Sequence, residues 1–303
     1  MREILVAKTI SFLQTNGFSV TSFLHTNNCF DLAAKRGGQV FLLKILSNID
    51  GLREEQAQEL LRISSITHSP AFIIGEKSKS FEMKKGTVYE RYGVNCITAE
   101  TFRSIVQDEL PQIRYFKGKE TVEIDSEKLR LKRKNFGLTL EQTAQKIGLT
   151  PESVHRYETE GSASLDAAKK LEKLFGHGIL SRIDVLEPSR EPEHGEKKEL
   201  DEVFAKIEKL GFDLEFFSHA PFRAFSSPHE KIFLNRGKIG KEIRKKAIEL
   251  SKTKKIIGGE QFIIAKEPRE HDYHGIPIIS EEELFSMTKH KNLIEALKKK
   301  EKK

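Results

Sequence analysis

A chain of 303 residues, 37% hydrophobic and 32% charged, has the length for two or three globular domains, each burying a core of ordinary size. Its formal charge of +7 suits an anionic partner without naming one. No apolar run approaches the ~20 residues of a membrane span, and Cys29 and Cys96 lack any CxxC or Cys/His spacing. Neither a disulfide framework nor a zinc site is therefore indicated, and buried thiols in a reducing cytoplasm are expected.

The opening MREILVAKTISFLQTNGF is an amphipathic helix rather than a signal peptide. After it come short β-branched and aromatic runs bounded by turn residues, a central helix over Leu52–Ser65, and the strand AFII. YGVNCITAETF (Tyr92–Phe102) then reads as a strand leading into a helix. The order recurs near the C-terminus. Gly17-Phe18 parallels Gly211-Phe212, and the interval from Phe30 to Val40 equals that from Phe222 to Ile232. Ala71–Ile74 parallels Gln261–Ile264, and YGVNCITAETF parallels HGIPIISEEEL. Each copy predicts helix, β-hairpin, strand, helix, strand, strand, helix, the second central helix falling at Ile239–Lys252. Such alternation argues for a sheet covered by helices.

Between the copies, PQIRYFKGKETVEID (Pro111–Asp125) predicts a β-hairpin turning at Lys117-Gly118-Lys119, read as a connector in preference to a basic arm on DNA. The helix EKLRLKRKNFG follows, crowded with Lys128, Arg130, Lys132, Arg133 and Lys134. The segment Leu138–Tyr157 then predicts two helices about a sharp turn. Thr139 caps the first, Ala144 is small enough for a close crossing, and Ile147 faces inward. Gly148 supplies left-handed backbone for the turn. Thr150 caps the second helix and Pro151 takes its first position, where a missing N–H costs nothing. Val154 and Tyr157 share the buried face, with Leu165 and Leu171 of the next helix, leaving Glu152, Ser153, His155 and Arg156 outward. LEPSREPEHGEKK (Leu186–Lys198) is a linker by composition, and Lys298–Lys303 is expected to be a disordered basic tail.

The stretch from Ser126 to Phe175 resembles the lambda-repressor/Cro (XRE-type) DNA-binding domain. The resemblance is carried by the basic first helix, by Thr139, Ala144, Gly148, Thr150 and Val154, by Arg156-Tyr157-Glu158, and by the final helix Leu165–Phe175. Two positions depart from that pattern: Leu140 stands where a glutamine is common, and Pro151-Glu152 where many relatives place longer polar readers. The resemblance implies a recognition helix in the major groove of double-stranded DNA and a homodimer with half-sites about 34 Å apart. Ser153, His155 and Arg156 are the expected base readers, with Glu152 on the same face. Thr139 and Thr150 are counted among the DNA-binding residues at the helix starts, Thr150 donating its hydroxyl to a phosphate, and Lys128, Lys132 and Lys134 are expected to contact phosphates without reading sequence.

The order of elements in the copies, with FDLAAKRGGQVFLLKI at the centre of the first, resembles the restriction-endonuclease-like (PD-(D/E)xK) fold, as in archaeal junction resolvases. Active members hold magnesium between two carboxylates beside a lysine. Asp31 and Lys44 fit two of those positions, but the intervening acid is Leu42, and the second copy has Arg223, Leu234 and Arg236. Both copies are therefore expected to be non-catalytic, the Asp31–Lys44 pair being a surface or edge-strand salt bridge of little worth. Glu54, Glu55 and Glu59 on the following helix are the acids that a migrated site would use. The cluster His271-Asp272-Tyr273-His274 lies in a loop without metal-ligand spacing, and no metal or cofactor is expected.

The expected architecture is α/β plus all-α. Two degenerate nuclease-like modules (1–110 and 199–290) flank a hairpin connector (111–125), a helix-turn-helix domain (126–185) and a linker (186–198), with a basic tail (291–303). The whole resembles archaeal helix-turn-helix regulators. The expected function is a cytoplasmic, non-enzymatic transcriptional regulator answering to an unspecified protein or small-molecule effector. A junction or duplex nuclease and a protein-binding scaffold with a vestigial helix-turn-helix are the alternatives.

Overall fold

The computed structural model describes residues 2–24, 27–188, 201–227, 230–238 and 240–301. The first repeat runs α1 (Arg2–Thr15), β1 (Ser19–Ser22), β2 (Leu32–Arg36), β3 (Gln39–Ile45), α2 (Glu54–Thr67), β4 (Ala71–Ile74), β5 (Thr87–Arg91), β6 (Val94–Ile97) and α3 (Ala99–Val106). The middle contains β7 (Ile113–Phe116), β8 (Lys119–Glu123), α4 (Ser126–Asn135), α5 (Leu140–Ile147), α6 (Pro151–Glu160), β9 (Ser162–Ser164) and α7 (Leu165–Phe175). The second repeat runs α8 (Glu202–Lys209), β10 (Glu215–Phe216), β11 (Ala224–Ser226), β12 (Ile232–Gly237), α9 (Gly240–Ile257), β13 (Glu260–Ala265), β14 (Asp272–Tyr273), β15 (Ile276–Ser280), α10 (Glu281–Ser286) and α11 (His290–Glu301).

Both repeats thus contain helix, three strands, helix, three strands, helix, one strand more than the pattern predicts, and the second adds α11 at its end. The additional strand is β5 in one copy and the two-residue β14 in the other, each pairing antiparallel with the strand after it. Neither carries an alternating apolar signal long enough to read. In the first copy the central helix starts two residues late, because Asn48 caps a 3-10 turn at Ile49–Gly51 and Leu52 leaves it extended.

The chain divides into two compact units. One comprises Met1–Thr9, Ile45–Arg53 and Phe72–Glu187. In it β4 lies parallel to β6, β6 antiparallel to β5, and β5 parallel to β7. The β7–β8 hairpin turns through Lys117 and Gly118, both at positive φ, the geometry that matches strand twist in a two-residue turn. Strand β8 then pairs with β9, Val122 opposite Ala163. The hairpin is accordingly an interior part of a sheet. Val122, Ile124 and Ala163 share one core with Leu129, Ala144, Ile147, Val154, Tyr157, Leu171 and Phe175 of the helices. Leu165, expected in that core, is only half-buried because it opens α7 at the edge of the bundle.

The other unit comprises Ile10–Lys44, Glu54–Ala71 and Pro188–Lys303. Strands β1, β2 and β3 form an antiparallel set with Ala33 opposite Leu42. In the second repeat β10, β11 and β12 are antiparallel, and β12, β13 and β15 parallel. Helix α9 lies close over this sheet at Gly237, where a Cβ would stand 2.5 Å from Ile243 Cγ1. The sequence from 291, read as a basic tail, continues α11, and Leu293, Ile294 and Leu297 are buried beside Phe204 and Met287. Their i, i+1, i+4 spacing forms one apolar stripe that the surrounding lysines obscure. Residues 302–303 lie outside the described residues, as do residues 189–200 of the proline- and charge-rich linker.

Candidate nucleic-acid interface

Helix α5 begins with a reciprocal cap: Gln142 N–H donates to Thr139 Oγ1 at 3.2 Å, and Thr139 N–H donates to Gln142 Oε1 at 2.9 Å. Gly148 ends it at φ 64°, ψ 45°, a conformation costly for a residue with a Cβ. Two residues later Thr150 Oγ1 accepts from Ser153 N–H at 3.2 Å, with Pro151 in the first turn of α6. Val154 and Tyr157 are buried, whereas Glu152, His155 and Arg156 are exposed and Ser153 half-buried. The structure therefore gathers the expected readers on one solvent face, with Thr139 and Thr150 exposed at the starts of the two helices.

Both helix starts also carry acid. The Glu152 carboxyl is held below the usual range, first by its own backbone N–H and then by the Thr150 hydroxyl. Glu141 is lowered in the same manner by its backbone N–H and by Thr139. Both are ionised at neutral pH, so α6 presents acid, hydroxyl, imidazole and guanidinium together. Arg156 lies over the Tyr157 ring at 5.7 Å.

The cations of α4 divide by role. Arg133 donates from Nε and Nη2 to the two Glu158 oxygens at 2.6 and 2.8 Å and from Nη1 to Leu138 O at 3.0 Å. The side chains are only 12% and 6% exposed, and the Glu158 hydrogen bond raises the Arg133 pKa. This bridge joins α4 to the far half of α6, and nothing in a run of five cations singles it out. Lys132 donates to the carbonyls of Phe175, Gly176 and His177 at 2.9, 3.3 and 2.8 Å. Its three donors close the C-terminus of α7, where a cation is favoured, and this occupation argues against its expected role on phosphate. Lys128 pairs with the cap residue Asp125 at 2.8 Å. Arg130 and Lys134 are exposed and form no ion pair among the described residues. Arg130 is the phosphate-facing candidate that the sequence assignment passed over.

The nuclease-like residues are arranged differently from expectation. Asp31 and Lys44 pair at 3.3 Å, with Asp31 1% and Lys44 7% exposed, and Lys44 also donates to Asn28 O at 2.7 Å. The pair is thus buried, because β2 lies between β1 and β3 and is no edge strand. Leu42 is wholly buried on the same strand face as Lys44, so apolar packing fills the second acid position. Glu59, the migrated-acid candidate, accepts from the N–H groups of Ser218 and His219, both at 2.6 Å. Cys29 N–H donates to His219 O at 2.5 Å. The 217–219 loop is therefore fastened to Glu59 and to Cys29, two residues before Asp31. In the second copy Leu234 is core, Arg223 binds Phe217 O, and Arg236 pairs with Asp201 and Glu281. Among the described residues no group of three or more His, Cys, Asp or Glu is placed to hold a metal ion, and no helix is long and apolar enough to cross a membrane. His274 and Gly275 turn the β14–β15 hairpin at positive φ, which gives His274 a place in the turn.

Residues 2–111 match the family described as PD-(D/E)XK superfamily domain, and residues 129–177 match the helix-turn-helix family. A Methanocaldococcus jannaschii protein named "Putative HTH-type transcriptional regulatory protein" is 32% identical over 98% of this chain and 97% of its own. Proteins of the same description from Archaeoglobus fulgidus (30% identical, 99% of each chain) and Thermococcus kodakarensis (31% identical, 98% of this chain and 96% of its own) are similar throughout. No solved structure matches the chain.

Proposed function

The chain belongs to an archaeal family of proteins described as HTH-type transcriptional regulatory proteins, and from that premise we propose that it binds duplex DNA as a two-fold dimer, α6 entering the major groove. The observation that carries the reading is the division of α6. Val154 and Tyr157 are sunk in the core, while Glu152, Ser153, His155 and Arg156 share the solvent side of a helix capped by Thr150. Ser153, His155 and Arg156 read base edges. Glu152 accepts from a cytosine amino group, the hydrogen bond a carboxylate makes in that groove. Thr139 and Thr150 meet phosphate at the helix starts, with Lys128, Arg130 and Lys134 along α4.

We assign the reader to residues 126–185, between a nuclease-like module at 1–110 and a second that begins at 199 and is closed by α11, neither of which cleaves anything. Leu42 in the acid position, the buried Asp31–Lys44 pair and the occupied Glu59 support this reading. Placement in the cytoplasm follows from a role on DNA. Selection from random duplexes, followed by anisotropy across a salt series, tests the proposal. One enriched motif is expected, with affinity falling steeply as salt rises. Carboxylates at the starts of both α5 and α6 favour a second reading, a protein-binding scaffold, and salt-independent or absent binding would select it.

A further inference from the structure

Strands β12 and β13 end side by side, Gly237 level with Ala265. Beyond these carboxyl ends lies a cleft of about 870 Å³ lined by Lys238, Lys241, Arg244, Lys266, Arg269 and Tyr273. Ile243 and Ile278, both buried, give it an apolar floor. Two carboxylates stand against the five cations, Glu267 and Glu270, and Glu270 is already engaged by Arg244 at 3.4 Å. Lys241, Lys266 and Arg269 are exposed and form no ion pair among the described residues.

Five like charges on one concave surface repel one another, and a low-dielectric cleft focuses their field on whatever enters. The 18-residue helix α9 adds the positive end of its dipole at the same place. The volume lies in the range of about 300–1,000 Å³ typical of small-molecule sites. Arg244 lies over the Tyr273 ring at 5.1 Å, which gives one wall a flat cation–aromatic surface suited to a planar ring. We propose that this cleft binds a phosphorylated small molecule of nucleotide size, its phosphates on Lys238, Lys241, Lys266 and Arg269 and its ring toward Tyr273. The site is built from residues 238–278, none of them in the helix-turn-helix, and does not depend on the function proposed above.

Titration calorimetry of the full chain with ATP and with inorganic pyrophosphate tests this. One ATP per chain is expected, with pyrophosphate binding more weakly. Lys241→Gln combined with Arg269→Gln is expected to weaken both at least tenfold, leaving thermal stability and affinity for a short duplex unchanged. Tyr273→Ala is expected to weaken ATP alone. No heat from either probe at millimolar concentration overturns the proposal, as does unaltered ATP affinity in the double variant. Loss of duplex binding in that variant, with neither small anion bound by the parent, overturns it in favour of a DNA phosphate surface.

Discussion

Replacing Arg133 with methionine keeps the aliphatic reach of the side chain and removes its charge and all three donated hydrogen bonds. Glu158, 6% exposed, would then keep a negative charge in a site built to neutralise it. Breaking a buried pair in this way costs about 3–5 kcal/mol. At about 1.4 kcal/mol for each tenfold change, local opening of α6 should become about two to three and a half powers of ten more frequent. Because the chain forms two compact units, one unfolding midpoint would not isolate this loss. Amide hydrogen exchange of the intact chain does isolate it, read on peptides across Pro151–Glu160 with peptides from α9 as internal reference. Arg133→Met with Glu158→Leu should recover most of the protection, since apolar residues of similar volume replace a buried pair at little cost. Less than a tenfold rise in exchange for the single variant, or a double variant as exposed as the sum of the singles, would refute the reasoning.

Ser153→Ala with His155→Ala should relax the selected DNA motif at the positions they read, costing about 1–3 kcal/mol per lost base contact; an unchanged motif places the reading face elsewhere. Lys134→Gln or Arg130→Gln should each lower the log–log salt slope by about one. Lys132→Met should leave that slope alone and instead speed amide exchange at the end of α7, as measured on the same protein. Asp31→Ala strands the Lys44 ammonium in the interior and should destabilise its unit by about 3–5 kcal/mol, while the parent protein with magnesium cuts neither junction nor duplex DNA on a gel. Burial pushes the Cys29 and Cys96 thiols well above the ordinary range, so both stay protonated at pH 8; iodoacetamide should label neither, by mass spectrometry, until denaturant is added.

The helix-turn-helix was legible because its instructions are local. Thr139, Gly148, Thr150 and Pro151 each act within one turn of their own position, and all four sit as their chemistry dictates. The repeat was legible through its spacing, although β14, two residues long, left no periodicity to detect. What escaped was set by partners distant in sequence. Lys132 and Arg133 look alike beside Lys134, yet one closes a helix 43 residues away and the other meets a carboxylate 25 residues on. The Asp31–Lys44 pair looked superficial because nothing nearby announces that β1 and β3 enclose β2. Likewise the apolar stripe of α11 is spread thinly enough among lysines to pass for a solvated tail.

Because β8 pairs with β7 on one side and β9 on the other, and Ile124 bridges to Leu180 beyond, the helix proposed to read DNA is seated on a sheet, with no free tether beneath it. In the dimer proposed above, any adjustment of the spacing between two such mounts falls to the seam between the copies. An operator lengthened by a single base pair, about a tenth of a helical turn, would turn its second half-site by an angle that this seam would have to absorb.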